Sequence, residues 1–185
     1  MSFLPWAHSF GQLAEVHMLI KSGCSAGLVE DVTELVDDMA LVKPTIFYAV
    51  PRVYNRIFDR LNRQILEKPQ IIQNLFRAGL KQAKREREGE TLGFLDNLTL
   101  TLARKIIFKK ILDRFGGRMR IAVSGASALS AEVAEFVNDL GISVMEAYGS
   151  SENFAALTGN LPGARKFGSV GRPFPGVRIE IDSSV

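Results

Sequence analysis

One stretch of the chain, residues 120–149, reads "RIAVSGASALSAEVAEFVNDLGISVMEAYG". Two short apolar segments, 119–125 and 142–149, flank a segment with helical periodicity, which predicts a strand, a helix and a second strand. Ser130 is suited to cap this helix, and Glu132 lies in its first turn. Such a unit joins parallel strands through a right-handed crossover. The sequence therefore predicts an α/β fold with a mostly parallel sheet flanked by helices.

The rest of the chain adds further helices and one more buried strand. Apolar spacing and helix-ending residues predict helices within 11–23, 31–44, 51–68, 70–90 and 94–117, and a strand at 45–50. From Gly168 onward, glycines, prolines and short alternating runs predict turns and antiparallel strands, including a strand that begins near Gly176. We therefore expect an α/β core over residues 1–167 and the start of a small antiparallel β subdomain over 168–185.

Composition excludes several classes of protein. The 185 residues suffice for one domain or for part of a larger one. The net charge of +3 is spread over mixed-sign stretches, so no nucleic-acid surface is predicted. Cys24 is the single cysteine, which excludes an internal disulfide and a cysteine-built zinc site, and fits a reducing compartment such as the cytoplasm. No apolar run is long enough to predict a membrane span, and the pattern of a signal peptide is not predicted.

The charge-rich segment at residues 81–90, "KQAKREREGE", alternates in sign. This pattern predicts a solvated helix face, with a phosphate-binding or membrane-surface patch as the alternative. Both ends of the chain look cut, because it opens at full hydrophobicity and closes on an alternating segment without visible strand partners. We therefore expect a piece of a longer protein.

Two polar turns follow the paired strands of residues 120–149. The carboxyl ends of parallel strands meet at one edge of a sheet, and ligands bind in the crevice outside that edge. The turns "SGASALS" (124–130) and "YGSSEN" (148–153) should therefore face a single crevice.

The first turn is open to several interpretations. It is a capped strand-to-helix turn in the simplest one, and a nucleotide site in another, because Gly125 lets a ligand approach the backbone. Glu146 lies 21 residues after Gly125, as a ribose-binding acid does in dinucleotide sites, but the G-x-G-x-x-G pattern is absent. Ser127 gives a partial match to a serine-hydrolase elbow, with only His8 and His17 as candidate bases.

The second turn combines the groups that an ATP site needs. Capping of a following helix by serine and Glu152 would explain it without any ligand. In the functional interpretation, Tyr148 offers a ring for a base, and Gly149 admits ligand atoms against the backbone. Ser151 can donate to a phosphate oxygen, and Glu152 suits Mg²⁺ held together with substrate phosphates.

Four segments together resemble the AMP-forming acyl-CoA synthetases, the adenylate-forming superfamily that includes firefly luciferase and peptide-synthetase adenylation domains. They are "FLPWAHSFGQ" (3–12), "RIAVSGASALS" (120–130), "YGSSEN" (148–153) and "GSVGRPFPGVRIEI" (168–181). The segment "KPTIFYAVPRVYNRI" (43–57) and the long helical insertion after it are similar to the long-chain fatty acyl-CoA synthetase branch. The resemblance covers almost the whole chain and implies part of the large N-terminal domain of that fold.

The resemblance also implies roles for individual residues. Tyr148 would stack on adenine, and His8 would sit near the carboxylate under attack. Ser151 would contact the α-phosphate, and Glu152 would bind Mg²⁺. Further nucleotide- and acyl-binding positions would be Gly125, Ala126, Ser127, Glu146, Ala147 and Gly149.

The chain departs from the family pattern at a few positions of the two turns. Ala126 stands where the family usually has a second glycine, and Ala147 stands where it has glycine before the tyrosine. Ser127-Ala128 replaces the usual alanine-proline, and Ser151 replaces threonine. The changes are small in volume, so they predict an altered fit rather than lost binding.

The implied activity is ATP-dependent activation of a long-chain fatty acid as an acyl-adenylate, followed by transfer to coenzyme A. The phosphate loop expected before residue 3 and the C-terminal mobile domain with its lysine are absent from the sequence, so we expect this piece alone to be inactive. A cytoplasmic setting and peripheral contact with a membrane are compatible with the resemblance. Two alternatives stay open: an NAD(P)-binding reductase domain, and a non-catalytic fragment that keeps the fold.

Overall fold

A computed structural model describes residues 1–182 of the chain. Its centre is a five-stranded sheet in which the spatial order of the strands follows their order in the sequence. The strands are β1 (Ile46–Ala49), β2 (Ile121–Ser124), β3 (Ser143–Tyr148), β4 (Thr158–Gly159) and β5 (Arg172–Pro173). The first three are parallel, and β4 and β5 are antiparallel additions beside the end of β3. The predicted α/β fold with a mostly parallel sheet is confirmed.

Helices account for most of the remaining chain. They are α1 (Ser9–Gly11), α2 (Met18–Ser22), α3 (Leu35–Val42), α4 (Pro51–Leu66), α5 (Gln70–Arg87), α6 (Phe94–Ala103), α7 (Lys109–Arg114) and α8 (Ala131–Asp139). Two π-helical segments, Gln12–His17 and Arg104–Phe108, make α1–α2 and α6–α7 continuous helices. Single 3₁₀ turns lie at Val32–Glu34 and Ser151–Asn153. Across residues 1–182, none of the helices combines the length and apolar character that a membrane crossing requires.

The two faces of the parallel strands carry different partners. Side chains alternate along a strand, so Phe47, Ala122 and Val144 share one face and pack into the main core with α4 and α8. The hydroxyl of Tyr54 in α4 donates to the carbonyl of Val123, 3.0 Å away. The opposite face, toward α1 and α2, carries a cavity. The sheet thus separates a closed core from an open side.

The strand–helix–strand unit forms as its local sequence predicts. The hydroxyl of Ser130 accepts a hydrogen bond from the N–H of Val133 at the start of α8, which confirms the predicted cap. Ala49, Ser124 and Glu146 lie opposite one another at the carboxyl ends of the three parallel strands. Both polar turns follow this row in the chain, so they leave the sheet at the same edge.

The helix that ends before Gly116 and Gly117 stops where the sequence predicts. Both glycines have left-handed backbones, with φ of 86° and 67°. A Cβ atom at Gly116 would lie 2.5 Å from the Cα of Lys43, so glycine is needed there for close packing as well as for conformation.

The charged end of α5 is more than a solvated face. Arg87 donates to Asp139 at 2.8 Å and to Glu135 at 3.0 Å, both on α8. Arg85 donates to Glu90 and to Asp96, which joins α5 to the start of α6. The prediction of a solvated face missed these ion pairs, because Asp139, Glu135 and Asp96 lie on other helices.

The predicted strand near Gly176 is wrong for the residues that the structure describes. From Val177 to Asp182 the backbone pairs with no strand, and the side chain of Ile181 is 89% exposed. A strand needs a paired neighbour, and residues 176–181 form no strand pairing. The rest of that predicted strand, 183–185, lies outside the described residues. The boundary between residues 167 and 168 stays a prediction. Strand β4 lies before it and β5 after it, and the two strands pair.

Candidate functional site

The open side of the sheet holds a cavity of about 510 Å³ beside the ends of β2 and β3. One wall consists of apolar side chains from three strands, including Tyr48, Val123 and Met145, and the facing wall includes Phe10 and Met18. The cavity therefore has an apolar interior. At its other end the lining changes to the glycines and hydroxyls of the two polar turns.

The turn after β2 contributes Gly125 and Ala126 to the cavity. A Cβ atom at Gly125 would lie 3.2 Å from the ring of Phe10, so a side chain there would crowd the helix that begins at Ser9. Ala126 has a left-handed backbone with φ of 71°, a conformation that favours glycine. Ser127 is exposed and outside the cavity lining.

The turn after β3 is folded back tightly on itself. The N–H of Ala155 donates to the carbonyl of Ser150 at 2.8 Å, and that of Leu157 to the carbonyl of Tyr148 at 2.9 Å. A Cβ atom at Gly149 would lie only 1.2 Å from the carbonyl oxygen of Ala155, so no larger residue fits this turn. Gly149 and Ala147 line the cavity, whereas the ring of Tyr148 lies outside the lining and is 50% exposed.

The predicted phosphate and metal ligands lie in the 3₁₀ turn Ser151–Asn153. Ser151 lines the cavity, and its hydroxyl lies 3.4 Å from that of Ser9. Glu152 is exposed beside the cavity mouth, outside the lining. Its own backbone N–H and the hydroxyl of Ser150 donate to the carboxylate, and both bonds lower the pKa of Glu152. The carboxylate is therefore ionised and accessible.

Glu146 lines the cavity, and the residue as a whole is 8% exposed. Burial raises the pKa of this carboxyl, and the hydrogen bonds from the N–H groups of Gly168 and Leu129 act in the opposite direction. The bond from Gly168 is 3.1 Å long. The carboxylate thus fastens the segments around residues 129 and 168 to the end of β3, which gives it a structural use besides the ribose contact predicted from its spacing.

His8 reaches the cavity from the opposite wall. Its Nδ1 accepts the N–H of Phe10 at 3.2 Å and caps the helix that begins at Ser9. This bond places the ring proton on Nε2, which is left available for a ligand.

Glu15 holds the segment that carries His8, and sequence reasoning missed it. Its carboxylate is 2% exposed and accepts hydrogen bonds from the N–H groups of Phe3 and Leu4, the hydroxyl of Ser2 and the indole of Trp6. The signal in the sequence was weak, because Glu15 is one of several polar residues in the predicted helix at 11–23. The role of Glu15 is visible only in the tertiary structure, where residues 2–6 fold over its carboxylate.

The structure gathers seven of the ten predicted site residues around one cavity: His8, Gly125, Ala126, Glu146, Ala147, Gly149 and Ser151. The other three, Ser127, Tyr148 and Glu152, flank it. Within residues 1–182 there is no group of three or more histidine, cysteine, aspartate or glutamate side chains that could hold a metal ion by themselves.

The sequence profile of one protein family, described as "AMP-binding enzyme", matches residues 1–184. The chain belongs to the AMP-binding enzyme family. This confirms the adenylate-forming resemblance of the four segments. It also favours the adenylate-forming interpretation over an NAD(P)-binding reductase domain.

Several curated proteins are similar to this AMP-binding chain over nearly all of its length. It is 34% identical over 185 residues to long chain acyl-CoA synthetase 7, peroxisomal, from Arabidopsis thaliana, covering 98% of this chain and 25% of that protein. It is 36% identical over 178 residues to long-chain-fatty-acid–CoA ligase 1 from Homo sapiens, covering 95% and 24%. The chain thus spans about a quarter of the length of the curated relatives it matches.

Solved structures show the same fold. A benzoate CoA ligase from Burkholderia xenovorans superposes with a TM-score of 0.55 at 20% identity, over 92% of this chain and 26% of that one. The adenylation domain of a carboxylate reductase from Mycobacterium chelonae superposes with a TM-score of 0.54 at 26% identity, over 86% and 21%. The predicted adenylate-forming architecture is therefore confirmed.

Proposed function

We propose that this AMP-binding chain is part of an ATP-dependent long-chain fatty acid–CoA ligase and forms one side of its acyl and adenylate cleft. One observation supports this most strongly. A cavity with an apolar interior ends at two polar turns on neighbouring parallel strands, in a chain about one-third identical to long-chain acyl-CoA synthetases.

The apolar part of the cavity suits a hydrocarbon chain. Its walls carry side chains such as Ile121, Val123 and Met145, which offer no hydrogen-bonding groups to a polar substrate. An aliphatic chain gains free energy there by leaving water. The polar end then receives the carboxylate, next to Ser151 and His8.

The polar end suits the nucleotide. Gly125 and Gly149 line this end of the cavity, where a planar base or a phosphate would lie. The half-exposed ring of Tyr148 is free to stack on adenine where the turn meets the cleft. The hydroxyl of Ser151 is placed to donate to the α-phosphate, and Ala147 lines the wall beside it.

A magnesium ion fits the donor set at the mouth of the cleft. Glu152 presents one exposed, ionised carboxylate, and Mg²⁺ is commonly held by one or two carboxylates together with substrate phosphates. When bound, the ion would neutralise charge on the phosphate oxygens. Glu152 would hold it.

The proposed reaction has two displacements. The fatty carboxylate oxygen forms a bond to the α-phosphorus of ATP, and the bond to pyrophosphate breaks. The thiol sulfur of coenzyme A then bonds to the acyl carbon, AMP leaves with the electron pair of the broken bond, and the thiol proton is released. Nε2–H of His8 and the hydroxyl of Ser151 would donate to oxygens that gain negative charge in these steps.

The binding strength, the activity and the location of this chain are proposals as well. Because the chain spans about a quarter of its relatives, we expect nucleotide and acyl binding by the 185 residues to be weak and ligase turnover to be absent. The remaining parts of the parent chain would supply the other phosphate and catalytic contacts. A cytoplasmic location with peripheral membrane contact stays a prediction.

Calorimetric titration with a non-hydrolysable palmitoyl-adenylate mimic tests the proposal. We expect saturable binding that strengthens with Mg²⁺, with the magnesium effect lost in Glu152→Gln. Ser151→Ala should weaken binding about tenfold, as expected for a lost hydrogen bond to a charged group. Ser22→Ala, on the exposed end of α2, is the matched control and should bind like the wild type. Binding of NADH in place of the mimic would support the reductase alternative and contradict the ligase proposal.

A further inference from the structure

Two cavities lie on the open face of the sheet. The first is the cavity of about 510 Å³ that ends at the polar turns, and the second, of about 310 Å³, adjoins it. The two share Ala14, Met18 and Tyr48 in their walls. Ile46 lines the second cavity and lies two residues before Tyr48, so both side chains point to the open face. The second cavity therefore continues the first between the sheet and α2.

The second cavity lies at the end of the sheet that is opposite to the polar turns. Ile46 and Ile121 pair at the start of β1 and β2, whereas the polar turns follow the ends of β2 and β3. The backbone from Ile121 to Gly125 extends about 13 Å at the usual rise of a strand. A long ligand that begins at the polar turns and follows the strands backward thus reaches the second cavity with its far end.

The lining of the second cavity differs from the apolar interior of the first. It adds hydroxyls, including those of Ser25 and Thr45, and two cations, Lys43 and Arg118. These cations stand three residues before β1 and three residues before β2. Because β1 and β2 are paired in parallel, both cations come to the same edge of the sheet. The far end of the second cavity therefore suits an anion.

The protein does not neutralise either cation. Within residues 1–182, the side chains of Lys43 and Arg118 form no ion pair and no hydrogen bond. The acid in the lining is Glu15, and its carboxylate already accepts the hydroxyl of Ser2 and the N–H of Leu4. Both cations are exposed at the rim of the cavity, so their charges are available to a ligand.

Met18 and Tyr48 form the boundary between the two cavities. Met18 is unbranched and 41% exposed, so its side chain can turn aside to join them. Burial raises the pKa of the Tyr48 phenol, and Cys24, which lines the second cavity, acts in the same direction. The phenol thus stays protonated and can donate a hydrogen bond to a ligand oxygen at this boundary.

We propose that the second cavity binds the far carboxylate of a long-chain dicarboxylic acid, which is the substrate class of this site. The hydrocarbon chain lies in the first cavity, and the far carboxylate lies beside Lys43 and Arg118. Charge-assisted hydrogen bonds from the two cations stabilise this carboxylate, whereas a methyl end gains nothing from them. The inference rests on the proposed function, because the reacting carboxylate must lie at the polar turns.

A free anion such as inorganic phosphate is the other possible occupant of the second cavity. It matches the two cations, but it leaves the apolar walls at Met18, Leu19 and Ile46 without a partner. An acid with a carboxylate at each end and a hydrocarbon chain between them matches the cations, the apolar walls and the polar turns together.

Calorimetric titration of the 185-residue chain with three adenylate mimics tests the proposal. The first is the palmitoyl-adenylate mimic, the second carries a carboxylate in place of its far methyl group, and the third is the methyl ester of that carboxylate. We expect the carboxylate mimic to bind about fivefold more tightly than the ester, as for a pair of partly solvated charges. Lys43→Gln with Arg118→Gln should abolish this difference and leave binding of the palmitoyl mimic unchanged.

The matched control is Lys21→Gln with Arg120→Gln, which removes two exposed cations outside the lining of the second cavity. It should keep the preference for the carboxylate mimic. The comparison of carboxylate and ester in the wild type needs no variant, so it tests the proposal even where a variant folds poorly.

The outcomes separate the proposal from the function on which it rests. Binding of the palmitoyl mimic with equal binding of the carboxylate mimic and its ester would overturn the proposal and leave the proposed function intact. Absence of binding by all three mimics would overturn both. Saturable binding of inorganic phosphate that is lost in the Lys43 and Arg118 variant, with equal binding of carboxylate and ester, would assign the cavity to a free anion and reject the dicarboxylic acid.

Discussion

The turns after β2 and β3 begin alike and end differently. Each leaves the carboxyl end of a parallel strand and passes a glycine on the cavity wall, Gly125 or Gly149. The first then enters α8 through the cap at Ser130. The second closes on itself through the 3₁₀ turn Ser151–Asn153 and brings a hydroxyl and a carboxylate to the cavity mouth.

The comparison shows that a turn can need a small residue for two reasons, the space around its side chain and the conformation of its backbone. Gly149 is required by space, because a carbonyl oxygen occupies the place of its side chain. Ala126 sits where conformation favours glycine, at φ of 71°, and yet a methyl group is present. The second turn also has two left-handed residues other than glycine, Phe154 and Ala155. Both turns thus carry backbone strain beside the site, a feature that binding sites often show.

The largest expected effect comes from Gly149→Ala. The new methyl would overlap the carbonyl of Ala155, so the second turn must open and the free energy of unfolding should fall by about 3 kcal/mol. Binding of the palmitoyl-adenylate mimic should fall with it. Urea unfolding followed by circular dichroism measures the first change, and calorimetry measures the second.

The control for that experiment is Gly93→Ala, where the added methyl would meet no atom within 4 Å. Its cost should stay at or below about 1 kcal/mol. Equal costs at the two positions would show that crowding does not distinguish the second turn.

A smaller effect of opposite sign is expected for Ala126→Gly in the first turn. Glycine adopts the left-handed conformation without steric cost, so the free energy of unfolding should rise by up to about 1 kcal/mol. The cavity also gains the space of a methyl group beside the ligand. Ala128→Gly, two residues later at an ordinary φ, should instead lower stability by about 0.5–1 kcal/mol. A lower free energy of unfolding in both variants would contradict the proposed strain at Ala126.

The smallest effect concerns Glu146, which holds the first turn, through Leu129, and the segment at Gly168 to the end of β3. Because its pKa is raised, the folded protein binds the proton more tightly than the unfolded chain does. Stability should therefore be lost as pH rises from the ordinary carboxyl value of about 4.3 through the raised value, and the loss should be complete above it. Glu146→Gln should flatten this part of the curve in urea unfolding at successive pH values. An unchanged slope would place the titration on another group.

Local sequence predicted most of the framework of the site. Alternating and helical periodicity located β2, α8 and β3, and the cap at Ser130 followed from residue type alone. The strand near Gly176 was predicted from the same kind of pattern and is wrong for the described residues, because alternation does not supply a partner strand. The polar residues of both turns were found, but their distances from the cavity were not.

The sequence by itself determined the order of strands and helices, the cap of α8 at Ser130 and the family, because these depend on short local patterns of residues. Tertiary structure alone decided the burial of Glu15 and the meeting of Ser9 with Ser151, which are 142 residues apart. It also decided the close approach of Ala155 to Gly149 and the exposure of Phe94 and Leu95 on α6. The physical reason is that burial and steric exclusion depend on atoms brought in from distant segments, and a local pattern contains no information about which segments arrive.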